Sequence, residues 1–139
     1  MQQVIAKAQE QINNKDYSSA QSTLLNYKDL GNQTIIDLYN NATNEVNRLE
    51  AEKKAQEEAE ERARIEKERF DYEVYCYFNL IVWNEKIQSD DEAFSKCASK
   101  FGITKEEAKE CYETVNSKGG WWYQDEYPDI FEKYASQYN

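Results

Sequence analysis

The sequence predicts an all-α protein: an N-terminal helical hairpin, a long charged helix, and a small C-terminal helical domain with a helix-turn-helix-like core. Three observations carry this. Glycine and proline are scarce, at four and one in 139 residues, and a multi-stranded sheet needs the tight turns those residues make. Apolar residues recur at three- and four-residue spacing, the period of an amphipathic helix. Ser, Thr and Asp stand just ahead of the apolar runs, where helix N-termini are capped.

Residues 1–33 read as the hairpin. Ile5, Ala8 and Ile12 share one helical face. Asn13-Asn14-Lys15-Asp16 breaks the pattern, and Asp16 is a fair N-cap for a second helix carrying Ala20, Leu24 and Leu25. Leu30-Gly31-Asn32 reads as its C-terminal stop. The spacing Ala8-x3-Ile12-x4-Tyr17-x2-Ala20-x3-Leu24, within residues 5–30, resembles a tetratricopeptide repeat. Lys15-Asp16-Tyr17 stands where that family has a Gly-Asp-Tyr-like turn, with lysine in place of glycine. Ala20 matches the small residue where the two helices cross. There is one copy, whereas such repeats bury their faces on neighbours. An ordinary antiparallel helix pair is the alternative.

Residues 34–69 read as one long helix capped by Thr34. Ile35, Leu38, Ala42, Val46 and Leu49 form a seam of near-heptad spacing. Beyond Glu50 the seam fades, and Ala51 to Arg69 is charged almost all round. Glu50–Lys54, Glu58–Arg62 and Glu60–Arg64 are in the favourable i,i+4 order, each contributing about 0.2–0.5 kcal/mol. Such a helix serves as a rigid spacer or a weak coiled coil. A solvated helix face is the plainer alternative.

Residues 70–139 hold every aromatic except Tyr17, Tyr27 and Tyr39. Phe70, Val74, Tyr77, Phe78, Ile81 and Ile87 predict a helix with a wide apolar face, continuous with the charged one. Ser89-Asp90-Asp91 caps the next helix, through Phe94, Ala98 and Phe101, and Gly102 stops it. Thr104 with Glu107 forms a capping box for a helix whose inner face is Ala108, Cys111, Tyr112 and Val115. Gly119-Gly120 ends that helix, and Pro128 opens a last one with Ile130, Phe131 and Tyr134.

Residues 91–115, from Phe94-x2-Cys97-Ala98-x2-Phe101-Gly102 to Cys111, resemble a DNA-binding helix-turn-helix. The resemblance implies two helices crossing at a tight turn. The would-be recognition helix presents Lys105, Glu106, Glu107, Lys109, Glu110 and Glu113, whereas base readout in this mode uses basic and amide side chains. The motif is therefore expected to serve packing.

Charge and residue types narrow the function. A net charge of -10 would repel nucleic acid and anionic membrane surfaces. The longest apolar stretch, Tyr75 to Trp83 interrupted by Asn79, is too short for membrane insertion. There is no histidine, which removes the commonest general base and metal ligand. Cys76, Cys97 and Cys111 form no C-x-x-C pair, and a zinc site would need a carboxylate as its fourth ligand. They read as buried small hydrophobes; a Cys97–Cys111 disulfide is the alternative in an oxidising compartment. Asp90-Asp91-Glu92 and Asp125-Glu126 with Asp129 lack the calcium-loop pattern. No enzyme, cofactor or metal is expected.

What remains is a non-catalytic protein-protein interaction or scaffolding module. Trp121, Trp122, Tyr123 and Tyr127 follow Gly119-Gly120 on what reads as a loop. Adjacent loop residues do not all enter one core, and Trp and Tyr anchor interfaces. A loop folded back to cap the core is the alternative. Tyr17, Tyr27 and Tyr39 offer further contacts on the hairpin. The expected partner is a protein, and the long helix allows a homo-oligomer. The second function class is an acidic inhibitor or nucleic-acid mimic of phage or mobile-element type, seated in a partner's basic groove and steeply salt-dependent. Low glycine and proline with many Asn, Lys and Tyr suit a low-GC bacterium or its phage. The chain opens at Met1 directly into a helical pattern, as expected either of a cytoplasmic protein or of an extracellular segment with its targeting sequence removed.

Overall fold

The computed structural model describes all 139 residues. It is all-helical, with α1 at Gln2–Asn13, α2 at Tyr17–Leu25, α3 at Gln33–Asn84, α4 at Asp90–Phe101, α5 at Lys105–Lys118, α6 at Gly120–Glu126 and α7 at Pro128–Ala135. The chain divides into two compact units, Met1–Glu60 and Glu61–Asn139, and α3 contributes to both. No helix is long and apolar enough to cross a membrane.

In the first unit, Ala8, Leu24 and Ile35 are fully buried where α1, α2 and the start of α3 meet. Val4, Ile5, Tyr27, Leu38 and Tyr39 pack around them. Polar cross-links add to this: Thr23 Oγ1 donates to Gln11 Oε1 at 2.9 Å, and Gln21 Nε2 to Thr43 Oγ1 at 3.0 Å. The seam at Ile35 and Leu38 is thus covered from within the chain, while Leu49 is 42% exposed.

Asp16 caps α2 as expected, accepting from the Ser19 N–H. Lys15, standing where the resembled repeat has glycine, adopts a positive φ of 61°. The Asp16 N–H then bonds back to the Gln11 carbonyl at 2.8 Å, closing α1. A left-handed conformation costs a non-glycine residue about 1–2 kcal/mol, partly offset by the larger entropy a glycine loses on folding. Lys15→Gly is therefore expected to stabilise the first unit by up to about 1 kcal/mol. The check is amide hydrogen exchange at Leu24 and Ile35, which should slow relative to wild type and to Lys15→Ala. Equal rates in all three proteins would contradict the left-handed turn.

Two boundaries in the first unit differ from expectation. α2 stops at Leu25, ahead of Leu30-Gly31-Asn32, because Tyr27 and then Leu30 bond back in successive tight turns to Leu24 and Tyr27. The cap of α3 is Asn32, not Thr34: Asn32 Oδ1 accepts the Ile35 N–H at 3.2 Å, in the turn that delivers Ile35 to the core.

Every residue from 47 to 64 is exposed. The ion pairs expected there do not close. Arg48 instead bridges Glu45 and Glu52, each at 2.7 Å, and Arg64 bridges Glu61 and Glu68. An arginine fork between two carboxylates, one turn before and one after, takes both at once. Each exposed pair contributes little.

The second unit is built on the last part of α3, which carries two buried rows. Val74, Phe78 and Ile81 pack with Ala93, Phe94, Cys97, Ala108 and Cys111 of α4 and α5. Tyr72, Cys76 and Leu80 pack with Val115, Tyr123, Ile130 and Tyr134 of α5, α6 and α7 and with Tyr127 between the last two. Caps follow the sequence: Ser89 accepts from the Glu92 N–H, Thr104 and Glu107 form the capping box, and Pro128 opens α7. Gly102 ends α4 at φ 67°. The helix-turn-helix-like pair thus faces α3 with its apolar side. α3 itself ends at Asn84 rather than running through Ile87, because Lys86 takes a φ of 55° and the Ile87 N–H bonds back to the Val82 carbonyl at 3.2 Å.

The cysteines are free and buried. Burial pushes the Cys97 and Cys111 thiols up to about 12, with the Asp71 carboxylate adding to the effect at Cys111, and pushes Cys76 up to about 11. The thiolate is the reactive form. At about pH 8 the native chain is expected to react with a thiol-specific reagent roughly 100-fold or more slowly than the urea-unfolded chain. A thiol that reacts equally fast in both states would contradict this burial.

Candidate functional site

Gly119, at φ 107°, ends α5, and α6 begins at the next residue. The segment expected to be a loop is a helix, so successive side chains fan out by about 100° each. Trp121 is 80% exposed, Trp122 36% and Tyr123 1%. Tyr123 stacks on Tyr72 at 5.5 Å, and the Tyr127 hydroxyl donates to Glu68 at 2.6 Å. Burial, with that hydrogen bond, pushes Tyr127 up to about 12. Tyr123 and Tyr127, expected as partner contacts, therefore lie in the core rather than on a contact surface. Trp122 stands edge-on to Tyr123, with Lys118 Nζ 3.5 Å from its ring centre. Of the four aromatics expected here, Trp121 is the one that faces solvent freely.

The hairpin tyrosines also differ from expectation. Tyr27 and Tyr39 pack at the edge of the first core, and Lys28 lies over Tyr39. Tyr17 is half-buried beside a shallow hollow of about 240 Å³ shared with Val46 and Leu49. All three are packing residues in part, because α3 closes on the hairpin.

Trp121 borders a cleft of about 470 Å³ that the sequence did not reveal. α3 supplies Tyr72, Tyr75, Cys76 and Asn79; α6 supplies Trp121 and Gln124; α7 supplies Phe131 and Tyr134; Tyr138 follows from the tail. Gly120 packs closely against Tyr75: a Cβ at this position would stand 3.2 Å from the Tyr75 hydroxyl oxygen, which would give by a few tenths of an ångström. Tyr75 in turn stacks on Tyr72 at 6.2 Å. Asn84 holds the tail, donating to the Gln137 carbonyl at 2.9 Å and accepting from the Asn139 N–H at 3.0 Å. Tyr138, between those two residues, and Asn79 are shared with a second hollow of about 640 Å³ that leads to Trp83.

The lining has a consistent chemistry. In a chain with 27 carboxylates and 17 Lys and Arg residues, no charged side chain lines the cleft. The second hollow has one, Lys86, with Trp83, Asn79, Asn84 and Gln88. Trp83 is 65% exposed, Tyr138 43% and Phe131 37%. One sequence signal pointed to Trp83: it continues the row Tyr72, Cys76, Leu80 by one more step, beyond the reach of α7's buried face. Tyr138 gave no periodic signal.

A second groove, about 820 Å³ between α3 and α5, is mixed in charge. Asp71 is buried there at 3% exposure and pairs with Lys67 at 2.9 Å. Glu107, Glu110, Glu113 and Lys118 form its rim. No group of three or more His, Cys, Asp and Glu side chains is gathered closely enough to hold a metal ion.

Set against protein-family models, curated proteins and solved structures, the chain matches none of them.

Proposed function

We propose that the chain is a non-catalytic protein-interaction module and that the aromatic groove of the second unit is its contact surface. One observation carries this: Trp83, Trp121, Phe131 and Tyr138 are exposed along two adjoining hollows that share Asn79 and Tyr138. Large exposed apolar side chains that adjoin one another mark binding surfaces, whereas scattered ones do not. Tryptophan and tyrosine at the centre of a concave site are the residues most often dominant in binding energy.

The test compares wild type with a Trp83→Ala/Trp121→Ala double variant. Both proteins are immobilised and exposed to extract of the native host, and retained proteins are quantified by mass spectrometry. A partner held by wild type should fall about tenfold or more on the variant. Identical retained sets would reject the groove. Release from both proteins by about 0.5 M salt would assign binding to the acidic exterior instead, as for an inhibitor of a basic groove.

A further inference from the structure

We infer that the groove takes a proline-rich peptide segment in the polyproline II conformation; this rests on the interaction reading just given and names its ligand. The first argument is charge. A groove with no charged side chain in its main cleft, inside a chain of net charge -10, complements a neutral ligand segment. A basic peptide would gain more from the acidic exterior, and an acidic one would be repelled by it.

The second argument is the balance of donors and acceptors. The polar groups offered are the Trp121 indole N–H, the Tyr75 and Tyr138 hydroxyls, and the amides of Asn79 and Gln124; the Tyr134 hydroxyl is already donated to Glu73. Indole donates only, and hydroxyls and amides each carry a donor. A proline-rich segment is the matching case: its carbonyls make no internal hydrogen bonds, and each proline lacks an N–H. A saccharide, by contrast, brings many hydroxyl donors, and carboxylates are the strongest acceptors for them. The chain places none of its carboxylates in the cleft.

The third argument is shape and cost. Tyr75, Trp121 and Tyr138 line an aromatic trough that continues to Trp83, with the buried Tyr72 stacked against Tyr75. Pyrrolidine rings pack flat against such faces, and a segment already extended loses little entropy on binding. An α-helix, about 10–12 Å across with its side chains, would need an open apolar floor, whereas here Asn79 and Tyr138 stand where the two hollows join.

The experiment is a tryptophan-fluorescence titration of the full chain with an all-proline decapeptide. Parallel arms use a Gly-Ser decapeptide and a linear glucose hexasaccharide. Saturable binding of the proline peptide is expected, little changed by about 0.5 M salt, and weakened about tenfold or more by Tyr138→Ala, which leaves every tryptophan in place. No saturation by about 2 mM peptide, equal binding of the Gly-Ser peptide, or preference for the saccharide would each overturn the inference. If the proline peptide fails while Trp83→Ala/Trp121→Ala still loses a native partner, the interaction module stands and its ligand is another class. If both fail, both are wrong.

Discussion

Tyr123→Ala is expected to destabilise the second unit by about 3–5 kcal/mol, while Trp121→Ala, two residues earlier, should change its stability by less than about 1 kcal/mol. Both residues are large aromatics on the same short helix, and orientation alone separates them. Tyr123 is 1% exposed and touches Tyr72, Trp122 and Tyr127. Its loss removes the transfer free energy of a buried ring and leaves a cavity that the helices on either side cannot fully close. Trp121 is 80% exposed, so its removal takes away little that water had not already touched. Urea unfolding followed by tryptophan fluorescence reports the second unit selectively, because Trp83, Trp121 and Trp122 all belong to it. Similar losses for the two variants would mean that α6 does not present these side chains as described.

Lys67→Met is expected to cost about 1–3 kcal/mol, more than its exposure suggests. The Lys67 side chain is 71% exposed, but its partner Asp71 is at 5%. Removing the ammonium leaves a buried carboxylate supported chiefly by the Cys111 thiol. An orphaned buried charge is penalised far more than an exposed ion pair contributes. The hydrogen bond to Asp71 also holds Lys67 above its ordinary 10.5. For a raised lysine the sign is clear: the pair's contribution is complete below that value and is lost as pH climbs past it. Replacing both partners, as Lys67→Met/Asp71→Leu, should recover most of the loss, since two apolar groups leave no polar group unpaired. The double-mutant cycle is read from urea midpoints. Additive losses, with no recovery in the double variant, would show that Asp71 does not depend on Lys67. Lys53→Met, on the fully exposed stretch of α3, is the control and should fall within about 0.5 kcal/mol of wild type.

Helix existence was legible in this sequence because it rests on local chemistry. Asp16, Ser89, Thr104 with Glu107, Gly102 and Pro128 all do in the structure what their residue types prescribe. The errors fall where a tertiary contact decided. Asn32 and Thr34 are equally good caps by composition, and the burial of Ile35 favours the first. Lys86, like Lys15, occupies a left-handed position that composition assigns to glycine; the break at Lys15 was marked by its Asn and Asp neighbours, whereas the end at Lys86 was not visible as an end. The site was harder still. Trp121-Trp122-Tyr123 was recognisable as important, but its division between core and surface depends on whether the segment coils. The cleft itself joins residues from α3, α6, α7 and the tail, separated by up to 66 positions from Tyr72 to Tyr138. No local pattern reports a meeting over that distance.

The bare middle of α3 has a consequence for the protein's lifetime. From 47 to 64, apart from the shallow hollow that Leu49, Glu50 and Lys53 share with the hairpin, only the helix's own hydrogen bonds and surface charge hold the backbone in place. Such a stretch opens locally far more often than either core. Lys53, Lys54 and Arg62 lie within it, so a trypsin-like protease meets its first accessible bonds there. Degradation would begin by severing the chain between its two cores, and a single added contact along this stretch would lengthen survival without altering either one.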